Sequence, residues 1–145
     1  MIAVDTNLLI YAHRAATPEH RAARSALRRA AHSEDGWGIA LASVAEFWAV
    51  VTHPASAGRP STPGEATAFL LALRDWGAQF WVPGLGFAER LLGVGEDLNV
   101  RGRRIFDLHI ALTAFENGAR EMWTHDREFL LLPGLRLRFP LNGGR

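Results

Sequence analysis

Apolar and polar positions alternate between two periods along this chain. Ile2-Ala3-Val4 is a short apolar run that ends abruptly in Asp5, and it reads as a buried strand with a helix starting near Asn7 (NLLIYAH). Thr17-Pro18-Glu19 then carries the signals of a helix start, Thr17 as N-cap and Pro18 in the first turn, for a helix running to about Ser33. Within it Ala23, Leu27 and Ala30 share one face, and Arg21, Arg24 and Arg28 share another, which reads as solvated. Trp37–Ala40 is a short strand and Ser43–Thr52 a helix; residues 53–64, with three prolines and two glycines, form a loop. Thr62-Pro63-Gly64-Glu65 has capping-box spacing for a helix to about Trp76.

Downstream, residues 79–82 read as a strand and 87–97 as a helix that Gly93 and Gly95 weaken. An Arg-Gly loop spans 99–103, a helix 104–117, with Gly118 as its stop, a strand 121–124, a short helical turn 126–131 and a last edge strand 135–139. Strands alternating with helices predict an α/β fold, a three-layer α/β/α domain with a mainly parallel sheet, one domain over residues 1–145.

Composition narrows the chemistry. There is no cysteine, hence no disulfide framework, cysteine zinc site or thiol nucleophile, in keeping with a reducing cytoplasm. No apolar run approaches the roughly 18 residues of a spanning helix, and no leader sequence is read at the start. The net charge of +1 says little about partners, but all 16 basic residues are Arg. Codon bias explains that usage without function, although Arg is suited to bidentate phosphate contacts.

Four acids stand out. Asp5 and Asp126 each follow a strand, and in parallel α/β sheets ligands bind beyond the carboxyl ends of strands. Each is equally placed to cap the helix or turn that follows it. Glu46 matches a capping box with Ser43, yet it is also the one acid in an apolar helix that reads as mostly buried, where it would need a partner such as a metal ion. Asp107 shares a helical stripe with Ala111 and Ala114, or serves as a first-turn acid favoured by the helix dipole and paired with Arg103 or Arg104. Converging carboxylates repel unless a cation joins them. An oxygen-only set suits Mg²⁺ or Mn²⁺, which serve phosphodiester hydrolysis by activating water.

Asp5-Thr6-Asn7, SVAEFW at 43–48, FDLHIALTA at 106–114 and Trp123-Thr124-His125-Asp126 together resemble the four acidic motifs of PIN domains, and their order and spacing resemble the VapC toxin ribonucleases over essentially the whole chain. The resemblance implies an Mg²⁺- or Mn²⁺-dependent endoribonuclease, with Asp5, Glu46, Asp107 and Asp126 as catalytic metal ligands and Asn7 and Thr124 as supporting polar groups. It also implies a homodimer and a VapB-like antitoxin partner. His125 departs from the familiar pattern and reads as a surface or loop histidine.

Arg101, Arg103 and Arg104 precede Asp107 closely enough to clamp RNA phosphates, or else form a solvated loop. Trp48, Trp76 and Trp81 read as core or dimer interface. Two other functions compete. A haloacid-dehalogenase-like phosphatase needs a second Asp where Asn7 stands and a lysine, which the chain lacks. A non-catalytic RNA- or protein-binding module would not need the four acids intact.

Overall fold

The computed structural model describes residues 1–56 and 58–142; Ala57 of the long loop and residues 143–145 lie outside the described residues. Its elements run β1 (Ile2–Val4), α1 (Thr6–His13), α2 (His20–Ala31), β2 (Trp37–Ala40), α3 (Leu41–Thr52), α4 (Pro63–Asp75), β3 (Gln79–Trp81), α5 (Phe87–Asp97), α6 (Arg104–Glu116), β4 (Glu121–Trp123) and β5 (Arg136–Arg138). The five strands pair in the order β3-β2-β1-β4-β5, every pair parallel. This is the α/β/α arrangement that the alternating periods predict.

Period-two alternation divides the core. Ala3 and Met122 face a layer formed by α5 and α6, with Leu108, Ala111 and Leu112 at its centre. Val4, Trp37 and Ile39 face the opposite layer, where Leu8, Leu9, Leu27, Phe47, Val51 and Leu70 close over the sheet. The chain builds outward from β1 to β2 and β3, then crosses back to place β4 on the other side of β1. The carboxyl ends of β1 and β4 therefore meet at a topological switch point, where the connecting segments diverge and leave a crevice.

Several boundaries move. Thr17 does not cap α2: the helix begins at His20, with Glu19 in the cap position and no capping side chain. The Thr17 hydroxyl instead donates to the Arg14 carbonyl at 2.8 Å and closes a turn ahead of the helix. α3 starts at Leu41, directly out of β2, so Ser43 lies inside the helix and no capping box with Glu46 forms. Residues 126–131 hold one turn, closed by Phe129 N donating to the Asp126 carbonyl at 3.2 Å, and no helix. By contrast, the box at Thr62 and Glu65 is complete, with Glu65 N donating to Thr62 Oγ1 at 3.1 Å and Thr62 N to Glu65 Oε1 at 2.9 Å. Gly118, at φ 107°, ends α6 as predicted.

The loop after α3 is pinned to α1. Arg14 donates to the carbonyls of Arg59 (2.9 Å) and Val51 (3.0 Å) and to the Ser56 hydroxyl, and His13 Nε2 lies 2.8 Å from Ser61 Oγ.

Candidate active site

The site is built where β1 and β4 end. The two strands run in register, with Val4 opposite Trp123, and Asp5 N donates to the Trp123 carbonyl at 2.9 Å. That pairing delivers Asp5 and Thr124 side by side. Asp5 is only 6% exposed and does cap α1, one oxygen accepting from Thr6 N at 2.8 Å. Its other oxygen accepts the Thr124 hydroxyl at 2.7 Å and lies 3.5 Å from Asn7 Nδ2. The capping role and the place in the crevice belong to the same side chain.

Thr124 is the hub. Fully buried, its hydroxyl donates to Asp5 and accepts from Asn7 Nδ2 (3.2 Å) and from Asp126 N (3.0 Å). Asn7 completes the lock, its Oδ1 accepting from His125 N at 3.2 Å. Asp126 is held through its backbone, and its Oδ1 accepts from Glu128 N at 2.9 Å in a turn. His125 is a half-buried loop residue rather than a surface one, its ring edge-on to Tyr11 at 5.7 Å.

Asp5, Glu46, Asp107 and Asp126 all line one cleft of about 210 Å³, together with Thr6, Asn7 and the apolar walls Ile10, Val50 and Ile110. Glu46 corrects an expectation: α3 is not mostly buried. Ser43, Phe47 and Val51 turn inward, while Glu46 is exposed on the cleft side. It therefore needs no buried partner, and with the capping box absent nothing in the helix engages it. Asp107 stands half-buried in the first turn of α6. Larger concavities exist elsewhere on the surface, but this one alone collects the four acids. The three apolar walls went unread in the sequence. Ile10 and Ile110 each follow a site residue by three positions and Val50 follows Glu46 by four, which puts them on the same helical faces.

Electrostatics mark the cleft as strained for anions. Burial pushes the Asp5 carboxyl up from 3.8 to about 6; the bonds from Thr124 and Thr6 oppose this, and the Glu46 and Asp107 charges add to it. Asp107 is also raised, first by burial, against the Leu130 amide that lowers it and the Asp126 charge that raises it further. Among the described residues none of the four acids has a salt-bridge partner. Arg103 stacks over Phe106 at 5.7 Å and Arg104 reaches the Glu128 carbonyl at 3.4 Å, so neither pairs directly with Asp107.

The donor set fits a hard divalent cation in its chemistry: oxygen ligands only, four acids without a salt-bridge partner among the described residues, and two of them, Asp5 and Asp107, raised by burial. Among the described residues no three such side chains already stand close enough to grip one ion together. Mg²⁺ commonly keeps several waters and takes one or two carboxylates directly, so its binding does not require such a preformed group. Of the tryptophans, Trp81 is core (3% exposed), whereas Trp48 and Trp76 reach the surface (38% and 41%).

Comparison with known proteins identifies a family and its relatives. The PIN domain family matches residues 2–135. VapC ribonuclease Mb2897 of Mycobacterium bovis and ribonuclease VapC43 of Mycobacterium tuberculosis are each 34% identical over 144 residues, 99% of this chain and 97% of theirs. Ribonuclease VapC48 of M. tuberculosis is 28% identical over 145 residues, 96% of this chain and 97% of its own. The crystal structure of M. tuberculosis VapC20, described as a Sarcin-Ricin loop cleaving toxin, superposes with a TM-score of 0.66 over 89% of this chain and 92% of that one, at 15% identity, a likeness of fold.

Proposed function

Because this chain belongs to the PIN-domain family and to its VapC ribonuclease branch, we propose that it is the endoribonuclease toxin of a VapBC-type toxin–antitoxin pair. The observation that carries the reading is the convergence of Asp5, Glu46, Asp107 and Asp126 on one cleft at the switch point of the sheet. Family relatives depend on divalent metals. Here Asp5, Glu46, Asp107 and Asp126 would hold Mg²⁺ or Mn²⁺, which when bound supplies charge stabilisation and water activation for phosphodiester hydrolysis.

The chain's own residues do the rest. Thr124 and Asn7 fix Asp5 in one rotamer, so the buried acid is oriented before substrate arrives. The Asp126 backbone is tied to the same hydroxyl, keeping the two acids in step. Ile10, Val50 and Ile110 give the cleft its apolar walls. Arg101, Arg103 and Arg104, all exposed ahead of Asp107, form a clamp for RNA phosphates.

Residues 1–145 act as one domain, in the cytoplasm, where RNA is available. No helix among the described residues is long and apolar enough to cross a membrane. Partners are RNA and a VapB-like antitoxin. Homodimer formation draws support from exposed Leu41, Trp48, Leu92 and Phe106, large apolar side chains that a partner surface would cover. Incubating the purified chain with single-stranded RNA and Mg²⁺ or Mn²⁺ tests the reading: cleavage that EDTA abolishes and Asp5→Ala removes is the expected result. Cleavage that survives either change overturns the metal mechanism.

A further inference from the structure

Beside the acid cleft, on the α2 side of the sheet, lies a separate concavity of about 500 Å³ at the edge of β5. Three arginines line it, Arg29, Arg127 and Arg138, along with Trp123, Phe139 and Glu121. The arginines are exposed, yet they are not loose. Arg29 lies over the Trp123 ring at 5.9 Å and donates to the Pro140 carbonyl at 3.4 Å. Arg127 lies over Phe139 at 4.5 Å, and its guanidinium meets the Asn142 side-chain carbonyl once that amide is turned. Arg138 stands 3.8 Å from Glu121, whose carboxylate also accepts the Trp123 indole at 3.0 Å.

Charge does not balance in this pocket. One carboxylate faces three guanidinium groups, and among the described residues neither Arg29 nor Arg127 has an acidic partner. Arg29 and Arg127 lie over aromatic rings, and part of each donor set is already taken, by Ser25 Oγ (3.2 Å) and the Pro140 carbonyl for Arg29 and by Asn142 for Arg127. The N–H groups left on the three guanidiniums can meet phosphate oxygens, and their planar faces can stack on a nucleobase. Position adds to this. Residues 123–127 serve both sites in turn: Trp123 and Arg127 line the arginine pocket, while Thr124 and Asp126 belong to the acid site. The two concavities therefore share one backbone segment, which is what places the arginines near the acids. A polyanion with flat bases fits the arginines directly and would fit the acid cleft once a divalent cation is bound there; an acidic peptide fits the arginines but offers no phosphodiester to that cleft.

We propose that this edge pocket is a subsite for single-stranded RNA, holding a phosphate and its neighbouring base on one side of the cleaved bond. The proposal rests on the ribonuclease reading above and adds a second RNA-binding region, distinct from the 101–104 loop.

The test uses a fluorogenic pool of single-stranded oligoribonucleotides of random sequence, cleaved by the full chain in Mg²⁺. In the double variant Arg29→Ala/Arg127→Ala, KM rises about tenfold or more while kcat stays within about twofold. The salt dependence of binding flattens by about 0.7 in log–log slope for each phosphate that the variant no longer holds. Arg29→Lys/Arg127→Lys, which keeps the charge, restores part of the affinity and controls for folding. An unchanged KM in the alanine variant, with the native chain active, overturns the subsite and leaves the ribonuclease standing. So does an alanine variant that binds RNA normally but loses a poly-glutamate peptide, which makes the pocket a protein-binding surface. If the native chain cleaves no RNA in Mg²⁺ or Mn²⁺, both readings fall together.

Discussion

The Thr124 hydroxyl donates to the Asp5 carboxylate at 2.7 Å, joining residues 119 positions apart at the floor of the acid cleft. Because that hydroxyl also accepts from Asn7 and from Asp126 N, it is a positioning group for two acids at once. Thr124→Val should remove the bond while keeping the shape, leave buried Asp5 without its strongest partner and cost about 1–3 kcal/mol of stability. Since the bond lowers the Asp5 titration point, its loss moves that point further up, which an NMR pH titration of the carboxyl measures. Activity falls, and Thr124→Ser, which restores the hydroxyl, recovers most of it; a serine variant as impaired as valine would refute the positioning role.

Asp5 makes stability depend on pH. Its folded-state value of about 6 lies above the ordinary 3.8, so over that window the folded chain holds a proton that the unfolded chain releases. Without metal, stability is greatest below about pH 4 as far as this group is concerned and declines as pH rises to about 6, by on the order of 1–3 kcal/mol. Urea unfolding in EDTA across that range should show the decline, and Asp5→Asn should lose it and be the more stable protein at neutral pH. Saturating Mn²⁺ should restore the native chain at neutral pH by binding only the folded state. An identical pH slope in Asp5→Asn would contradict this account.

Glu46 separates function from stability. It is exposed, and nothing in its own helix engages it. Glu46→Gln should therefore leave the unfolding midpoint within about 0.5 kcal/mol of native while weakening Mn²⁺ binding about tenfold or more in calorimetry. Loss of stability with unchanged metal affinity would return Glu46 to a structural role.

Gly38 shows how tightly the sheet is closed behind the site. A Cβ there would sit 2.5 Å from Trp81 ring atoms and 2.8 Å from the Gln79 carbonyl oxygen. Gly38→Ala should destabilise the chain by about 1–3 kcal/mol or more, since the neighbouring strand is backbone and cannot rotate aside. Thermal unfolding checks this; a native-like melting point would mean that β2 and β3 shift apart at little cost.

Much of this arrangement was legible in the residues themselves. A strand that ends in Asp5 and another followed within a few residues by Asp126 are a local signal, and parallel pairing, which sets Thr124 beside Asp5, turns it into a shared site. The complete Thr62–Glu65 box is equally local. Thr17 misled because a threonine ahead of Pro-Glu can bond backward to Arg14 as readily as forward into a helix, and only the surrounding packing decides between them. The capping-box pattern at Ser43 failed for a related reason: β2 runs into α3 without a break, so the helix is under way before Ser43 is reached. The apolar look of that helix hid the cleft beside it, because Trp48 and Val50 are apolar yet exposed. The arginine pocket was illegible: Arg29, Arg127 and Arg138 lie on α2, a turn and β5, with no common period to link them.

The pairing of β1 with β4 also sets a schedule. Asp5 is made 119 residues before Thr124, so a chain emerging from the ribosome carries that acid through all the intervening synthesis without the strand that orients it. A contact of such long sequence separation forms late, after every element between the two residues has been made. For a protein whose activity would be turned on the RNA of the cell that makes it, that order of assembly keeps each copy inert until β4 and Thr124 have been made, and it leaves a window in which a neutralising partner can already be waiting.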